Sequence, residues 1–156
     1  MALLLGLALY PAQRAQAATT CQATSTNLAF GPVTGAASVD ATATVTVTCQ
    51  TTALSLLAVA RVRMCLNIGA GANGAGQTSP RRMTSAAGDA MQFQIFRDAA
   101  RTQVWGDRTL PGTPTPAQFD LEYSVPLIGG SGTLTATLHG RVPAQAALAR
   151  VRAGSR

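Results

Sequence analysis

The stretch Asp40-Ala-Thr-Ala-Thr-Val-Thr-Val-Thr-Cys49 alternates small or apolar residues with threonine along its whole length. Successive side chains of an extended chain point to opposite sides, so Ala41, Ala43, Val45, Val47 and Cys49 share one face and Thr42, Thr44, Thr46 and Thr48 the other. A helix could not gather these residues on one side. Period two with β-branched residues predicts a strand with one face on a core and the other in water.

Similar runs follow at intervals. Residues 24–30 stop at the turn signal Gly31-Pro32, and residues 59–68 stop at a glycine run. Residues 91–96 place Met91, Phe93 and Ile95 on one face. Residues 119–125 set Phe119, Leu121, Tyr123 and Val125 against Asp120, Glu122 and Ser124. Residues 133–142 set Leu134, Ala136 and Leu138 against threonines. Loop formers fill 69–80 and 111–116, and a helical period shows only weakly, over 144–152. The chain of 156 residues has the length of one domain, and no internal repeat is found. Short alternating strands with Gly/Pro punctuation predict an all-β, antiparallel sandwich of immunoglobulin-like type.

Composition narrows the chemistry. The acidic stock is Asp40, Asp89, Asp98, Asp107, Asp120 and Glu122, the only histidine is His139, and all 12 basic residues are arginine. Schiff-base and P-loop mechanisms need lysine and are excluded. Gly69-Ala-Gly-Ala-Asn-Gly74 matches the dinucleotide fingerprint in letters, but no helix can be drawn after it, so it reads as a hairpin loop. Gly129-Gly-Ser-Gly-Thr133 fails the nucleophile-elbow pattern. Asp120 and Glu122 share a strand face, where a carboxylate pair could serve glycosidic chemistry; on a polar strand face the ordinary reading is solvation. The arginines (Arg81, Arg82, Arg97, Arg101, Arg108, Arg141, Arg150, Arg152 and Arg156) could attract an anionic polymer. Without stacking aromatics or a reading helix they are read as solvated strand edges, not a nucleic-acid surface. No catalytic, cofactor or metal site is assigned.

Residues 3–9 form an apolar run too short to span a membrane. Ala15-Gln-Ala17 then offers the small residues a signal peptidase reads, so residues 1–17 are read as a secretory signal peptide, curtailed because no charged segment precedes the run. No second stretch reaches spanning length. Export places Cys21, Cys49 and Cys65 where thiols oxidise. A bridge from Cys21 to Cys49 would stabilise the chain by about 3 to 4 kcal/mol on the chain-entropy model. Cys65 is left without a partner, to pair with another chain or to sit buried.

Taken in order, several segments resemble the spore coat protein U domain, the family of subunits in archaic chaperone-usher pili and related secreted coat proteins. They are Cys21 with Thr26-Asn-Leu-Ala-Phe-Gly31, Ala43-Thr-Val-Thr-Val-Thr-Cys49, Val62-Arg-Met-Cys-Leu-Asn-Ile-Gly69, Arg82-Met83, Phe93-Gln-Ile-Phe-Arg-Asp98, Thr102-Gln-Val-Trp-Gly106 and Leu138-His-Gly-Arg-Val142. The resemblance implies an incomplete immunoglobulin-like fold over residues 18–156. Its missing strand comes first from a periplasmic chaperone and then from a neighbouring subunit. It also implies a disulfide between Cys21 and Cys49, and core roles for Phe93 and Trp105. The family's last strand begins at an Ala-Gly-x-Tyr that this sequence lacks, so the domain is expected to be truncated at its C-terminus.

The function expected on this resemblance is that of a non-enzymatic, exported subunit of an adhesive pilus, supporting cell adhesion and biofilm formation. Its partners would be a periplasmic chaperone, an outer-membrane usher and other pilus subunits. Only three residues lie between the cleavage site and Cys21, too few for a donor strand, which suits the N-terminal domain of a tip adhesin. Leu54, Leu56, Leu57, Leu127 and Ile128 are the candidate apolar adhesion-loop residues. The alternatives are a stand-alone secreted coat protein, a secreted carbohydrate-active enzyme using Asp120 or Glu122, and a periplasmic anion-binding module using the arginines.

Overall fold

The computed structural model describes residues 18–52, 57–72, 76–84 and 88–145. Its strands are β1 (Thr19–Ser25), β2 (Val39–Thr51), β3 (Ala58–Leu66), β4 (Arg81–Thr84), β5 (Ala90–Phe96), β6 (Ala117–Val125) and β7 (Gly130–Val142), with no helix among the described residues. One sheet has the order β1-β2-β7-β5-β4 and the other consists of β3 and β6. All pairings are antiparallel. The all-β, sandwich-like architecture expected from the alternation is the one found.

The spine of the larger sheet is the β2–β7 pair, in register from Val39↔Val142 to Thr51↔Gly130. Ala43, Val47 and Cys49 of β2 and Ala136, Leu138 and Val142 of β7 are buried. The threonines between them face outward, Thr46 opposite Thr135 and Thr48 opposite Thr133. β-branched residues suit this pleated, half-buried surface. The smaller sheet covers part of the spine: Ala60, Val62, Met64, Leu66 and Leu121 pack against Val47, Cys49, Tyr123 and Val125. A second cluster gathers Ile95, Trp105, Ala117, Ala136 and Leu138, with Leu28, Phe93 and Phe119 against it. The core placement of Trp105 and Phe93 follows from these contacts.

Close packing explains two glycines. A Cβ on Gly132 would lie 2.4 Å from the Tyr123 ring, so the ring lies directly over the β7 backbone. The Tyr123 hydroxyl then reaches Thr51 Oγ1 at 2.7 Å. A Cβ on Gly140 would meet both Leu28 and Phe30 at 2.8 Å.

That second contact corrects the expected first strand. The sequence pattern predicts a strand over 24–30, but β1 spans Thr19–Ser25. After Ser25, the Thr44 N–H donates to the Thr26 hydroxyl at 2.9 Å, and the Thr26 N–H donates to the Thr44 carbonyl. A side chain thereby takes over one of the two bonds of the next rung of the ladder. Leu28 and Phe30 turn inward over Gly140 from a loop, and Phe30 meets Phe93 edge-on at 6.2 Å. The weak helical period over 144–152 is not realised at Ala144 and Gln145, which are irregular. The Gln145 N–H donates to Gly35 O, and its side chain bonds the Gln92 backbone. Residues 146–156 lie outside the described residues.

Candidate functional site

β1 pairs only with β2, and β3 only with β6, among the described residues. Beside the outer half of β1 and the chain leaving β3 at Leu66 the core is uncovered, and a cleft of about 530 Å³ opens there. One lip runs from Ala23 to Leu28 and the other from Leu66 to Gly69, with Ala43, Val45, Ile95, Trp105 and Leu138 as the floor. Every residue of β1 is exposed. That includes Cys21, Ala23 and Ser25, which stand opposite the core-facing Cys49, Val47 and Val45. An edge strand whose inward side is bare lacks a second layer above it.

The first lip is tied to the sheet by the β1–β2 ladder and by a disulfide joining Cys21 to Cys49. Cys49 is fully buried, so the bridge anchors an exposed strand to the core. Thr19 and Thr51 add a hydroxyl contact at 2.8 Å.

The second lip is held differently, because past Leu66 the chain has left its ladder with β6. The Trp105 indole N–H donates to Leu66 O at 2.7 Å, and the Ile68 N–H donates to Gly106 O at 3.1 Å. The Arg81 guanidinium donates to Ile68 O, Gly69 O, Trp105 O, Thr78 O and Gln94 Oε1. Arg81 is 1% exposed, which overturns the expectation of a solvated edge arginine. Carbonyl acceptors at its donors make that burial tolerable. Burial pushes its pKa down to about 10 while the Asp107 carboxylate opposes the shift, so the cation persists at neutral pH. Strand parity was the available signal, since Arg81 shares a face with half-buried Met83 while Arg82 and Thr84 are exposed.

Among the described residues, no ionisable side chain lines the cleft. It can receive apolar side chains on its floor and main-chain hydrogen bonds along its β1 lip, where the strand edge is unpaired among the described residues, while at the other lip Leu66 O, Ile68 N–H, Ile68 O and Gly69 O already have partners.

The carboxylates weighed for catalysis lie elsewhere. On the outer face of the β3–β6 sheet, Arg63 Nε meets Asp120 Oδ1 at 2.7 Å and Arg61 Nε meets Glu122 Oε2 at 2.9 Å. These are exposed cross-strand pairs, a common way to satisfy charge on a strand face. Cys65, free and half-buried, stands in the same outward register opposite Gln118. His139 stands opposite Thr42 on the outer face of the other sheet. Arg141 holds Asp40 through bonds of 2.7 and 2.9 Å, with Arg101 at 3.4 Å from the same carboxylate. The hydrogen bond from Arg141 holds the Asp40 carboxyl below its ordinary value, against partial desolvation. Among the described residues, no group of three or more His, Cys, Asp or Glu side chains could hold a metal ion.

Of the candidate adhesion residues, Leu54 and Leu56 lie outside the described residues. Leu57, Leu127 and Ile128 are exposed, and Val59 joins them as a fourth exposed apolar side chain. Leu57 precedes β3, while Leu127 and Ile128 occupy the turn after β6; Ala58 pairs with Val125 between them. This apolar end of β3 is opposite to the Leu66–Gly69 end at which the cleft opens.

The described residues thus form a sandwich with an open, largely apolar cleft beside the edge strand β1. The Spore Coat Protein U domain model matches residues 7–155, and the chain belongs to that family. Neither a search of curated proteins nor one of solved structures finds a match. The family is a structural pilus and coat domain, not an enzyme family, and it occurs in exported subunits of chaperone-usher pili. No helix of the described residues is long and apolar enough to cross a membrane.

Proposed function

We propose that the protein is an exported, non-enzymatic pilus subunit whose core is completed by a strand from another chain. The supporting observation is the open cleft beside β1, with its apolar floor and the free edge of that strand. Strand addition suits such a site: main-chain hydrogen bonds satisfy the edge and alternate side chains fill the groove. A periplasmic chaperone supplies that strand first and a neighbouring subunit replaces it during assembly at an outer-membrane usher. Residues 1–17 serve as the signal peptide and residues 18–156 as the domain, which passes through the periplasm to the cell surface.

The test is a urea titration of the chain refolded in the presence of increasing concentrations of a synthetic peptide of alternating apolar and polar residues. The unfolding midpoint is expected to rise with peptide concentration, as for any ligand that binds only the folded state. A midpoint indifferent to peptide overturns the reading.

The exposed Leu57, Val59, Leu127 and Ile128 support an adhesive role for the end remote from the cleft. In this reading one end accepts the strand while the other meets a surface, and attachment leads to biofilm. Leu127→Asp with Ile128→Asp is expected to leave peptide binding intact and to reduce cell attachment to an apolar surface several-fold. Unchanged attachment would remove this end from the reading.

A further inference from the structure

The two lips of the cleft are held by unlike means. The Ala23–Leu28 lip begins in a sheet and is tethered by a disulfide. The Leu66–Gly69 lip extends beyond its sheet, and its carbonyls turn toward a buried cation. Arg81 does more than fill space, because its acceptors come from separate parts of the chain. Ile68 and Gly69 belong to the lip, Trp105 to the floor, Thr78 to the loop before β4, and Gln94 to β5. The Gln94 side-chain oxygen also accepts from the Ile95 N–H at 2.9 Å, and Ile95 is itself part of the floor. One guanidinium therefore fixes the distance between lip and floor. The planar, five-donor geometry of arginine allows this, and a lysine ammonium with three donors could not reach all five acceptors.

We infer that Arg81 is the positioning residue that sets the width of the cleft at its Ile68 end, and so determines which side chain of an incoming strand is accepted there. This rests on the strand-acceptor reading above. The strand side chain seated between Ile68, Trp105 and Ile95 is apolar, and its fit depends on a lip that cannot relax outward. Arg81 itself does not line the cleft. Its effect passes through the carbonyls it binds.

The test is an alanine scan of the inward-facing positions of the peptide, measured as dissociation rates from wild-type, Arg81→Lys and Gln94→Met protein. Gln94→Met removes one acceptor and leaves the cation, so it provides the answer if Arg81→Lys fails to fold. In wild-type protein, one or two neighbouring peptide positions are expected to be sensitive to alanine by tenfold or more. In either variant the penalty at those positions should collapse to about threefold or less, with the other positions unchanged. Uniformly faster dissociation at every position would mean a merely structural role and would overturn the inference, as would an unaltered scan in a folded variant. If wild-type protein binds no such peptide, the strand-acceptor reading itself fails and this inference falls with it; binding that ignores Arg81 sinks the inference alone.

Discussion

Replacing Trp105 with alanine is expected to lower the unfolding free energy of the peptide-complemented protein by about 3 to 5 kcal/mol, the range for deleting a buried aromatic side chain. Trp105 is 1% exposed, forms part of the cleft floor and lies 6.0 Å from Phe119 between ring centroids. Its indole N–H is the donor to Leu66 O, where the second lip departs from the sheet. Alanine removes both the packing and the bond, leaving a void that adjoins the cleft and a carbonyl without its donor. Trp105→Phe separates the two contributions. It keeps most of the packing and is expected to cost about 1 kcal/mol through the lost hydrogen bond, plus any mismatch of shape. Thr135→Ala, on the exposed outer face of β7, should stay within about 0.5 kcal/mol of wild type. Urea unfolding measures all three. A Trp105→Ala cost below about 1 kcal/mol would mean that the floor is not the packed centre described here.

Removing the disulfide with Cys21→Ala and Cys49→Ala should cost about 3 to 4 kcal/mol on the chain-entropy model. That follows from the 28-residue separation of the two cysteines. The effect should also be local. No side chain of β1 is buried, so little hydrophobic burial retains the strand once the bridge is gone. The ladder to β2, the Thr19–Thr51 contact and the Thr26–Thr44 bonds remain. Amide hydrogen exchange should show β1 opening far more often in the variant, with the β3–β6 pair little changed. Peptide binding should weaken too, because the first lip of the cleft is the tethered segment. A variant with wild-type stability and wild-type protection in β1 would contradict this account.

How far the sequence could be read depended on what strand parity reports. Parity assigns a residue to a face, which sufficed for β2 and β7: both alternate over long runs, and their inner and outer residues fall where expected. Parity does not say whether a face will be covered. The inward side of β1 has the right period but small and polar residues, and it stays bare because nothing among the described residues overlies it. Leu28 and Phe30 look like strand residues because they are apolar and two apart, yet they pack from a loop over Gly140. Arg81 departs furthest from what its charge predicts. A charge in a short strand is ordinarily at the surface, and its burial depends on carbonyls gathered from residues 68, 69, 78 and 105. Those carbonyls converge only in the folded chain. The cleft is legible only in three dimensions for the same reason, since its lips are distant in sequence and joined by topology.

The carboxylates illustrate the reverse case. The alternation predicts Asp120 and Glu122 on a polar strand face, and they lie there, each opposite an arginine of β3. The alternation also explains why Cys65 does not join the core: it shares the outward register of Arg61 and Arg63.

The central claim is that this chain completes its core with a strand from another polypeptide. The most direct measurement is to export the full chain to a bacterial periplasm, with and without a pilus chaperone, and to determine the mass and yield of the native species. The account predicts a one-to-one complex with the chaperone, and loss or self-association of the chain without it. A monomer that is stable in the absence of any partner would contradict it.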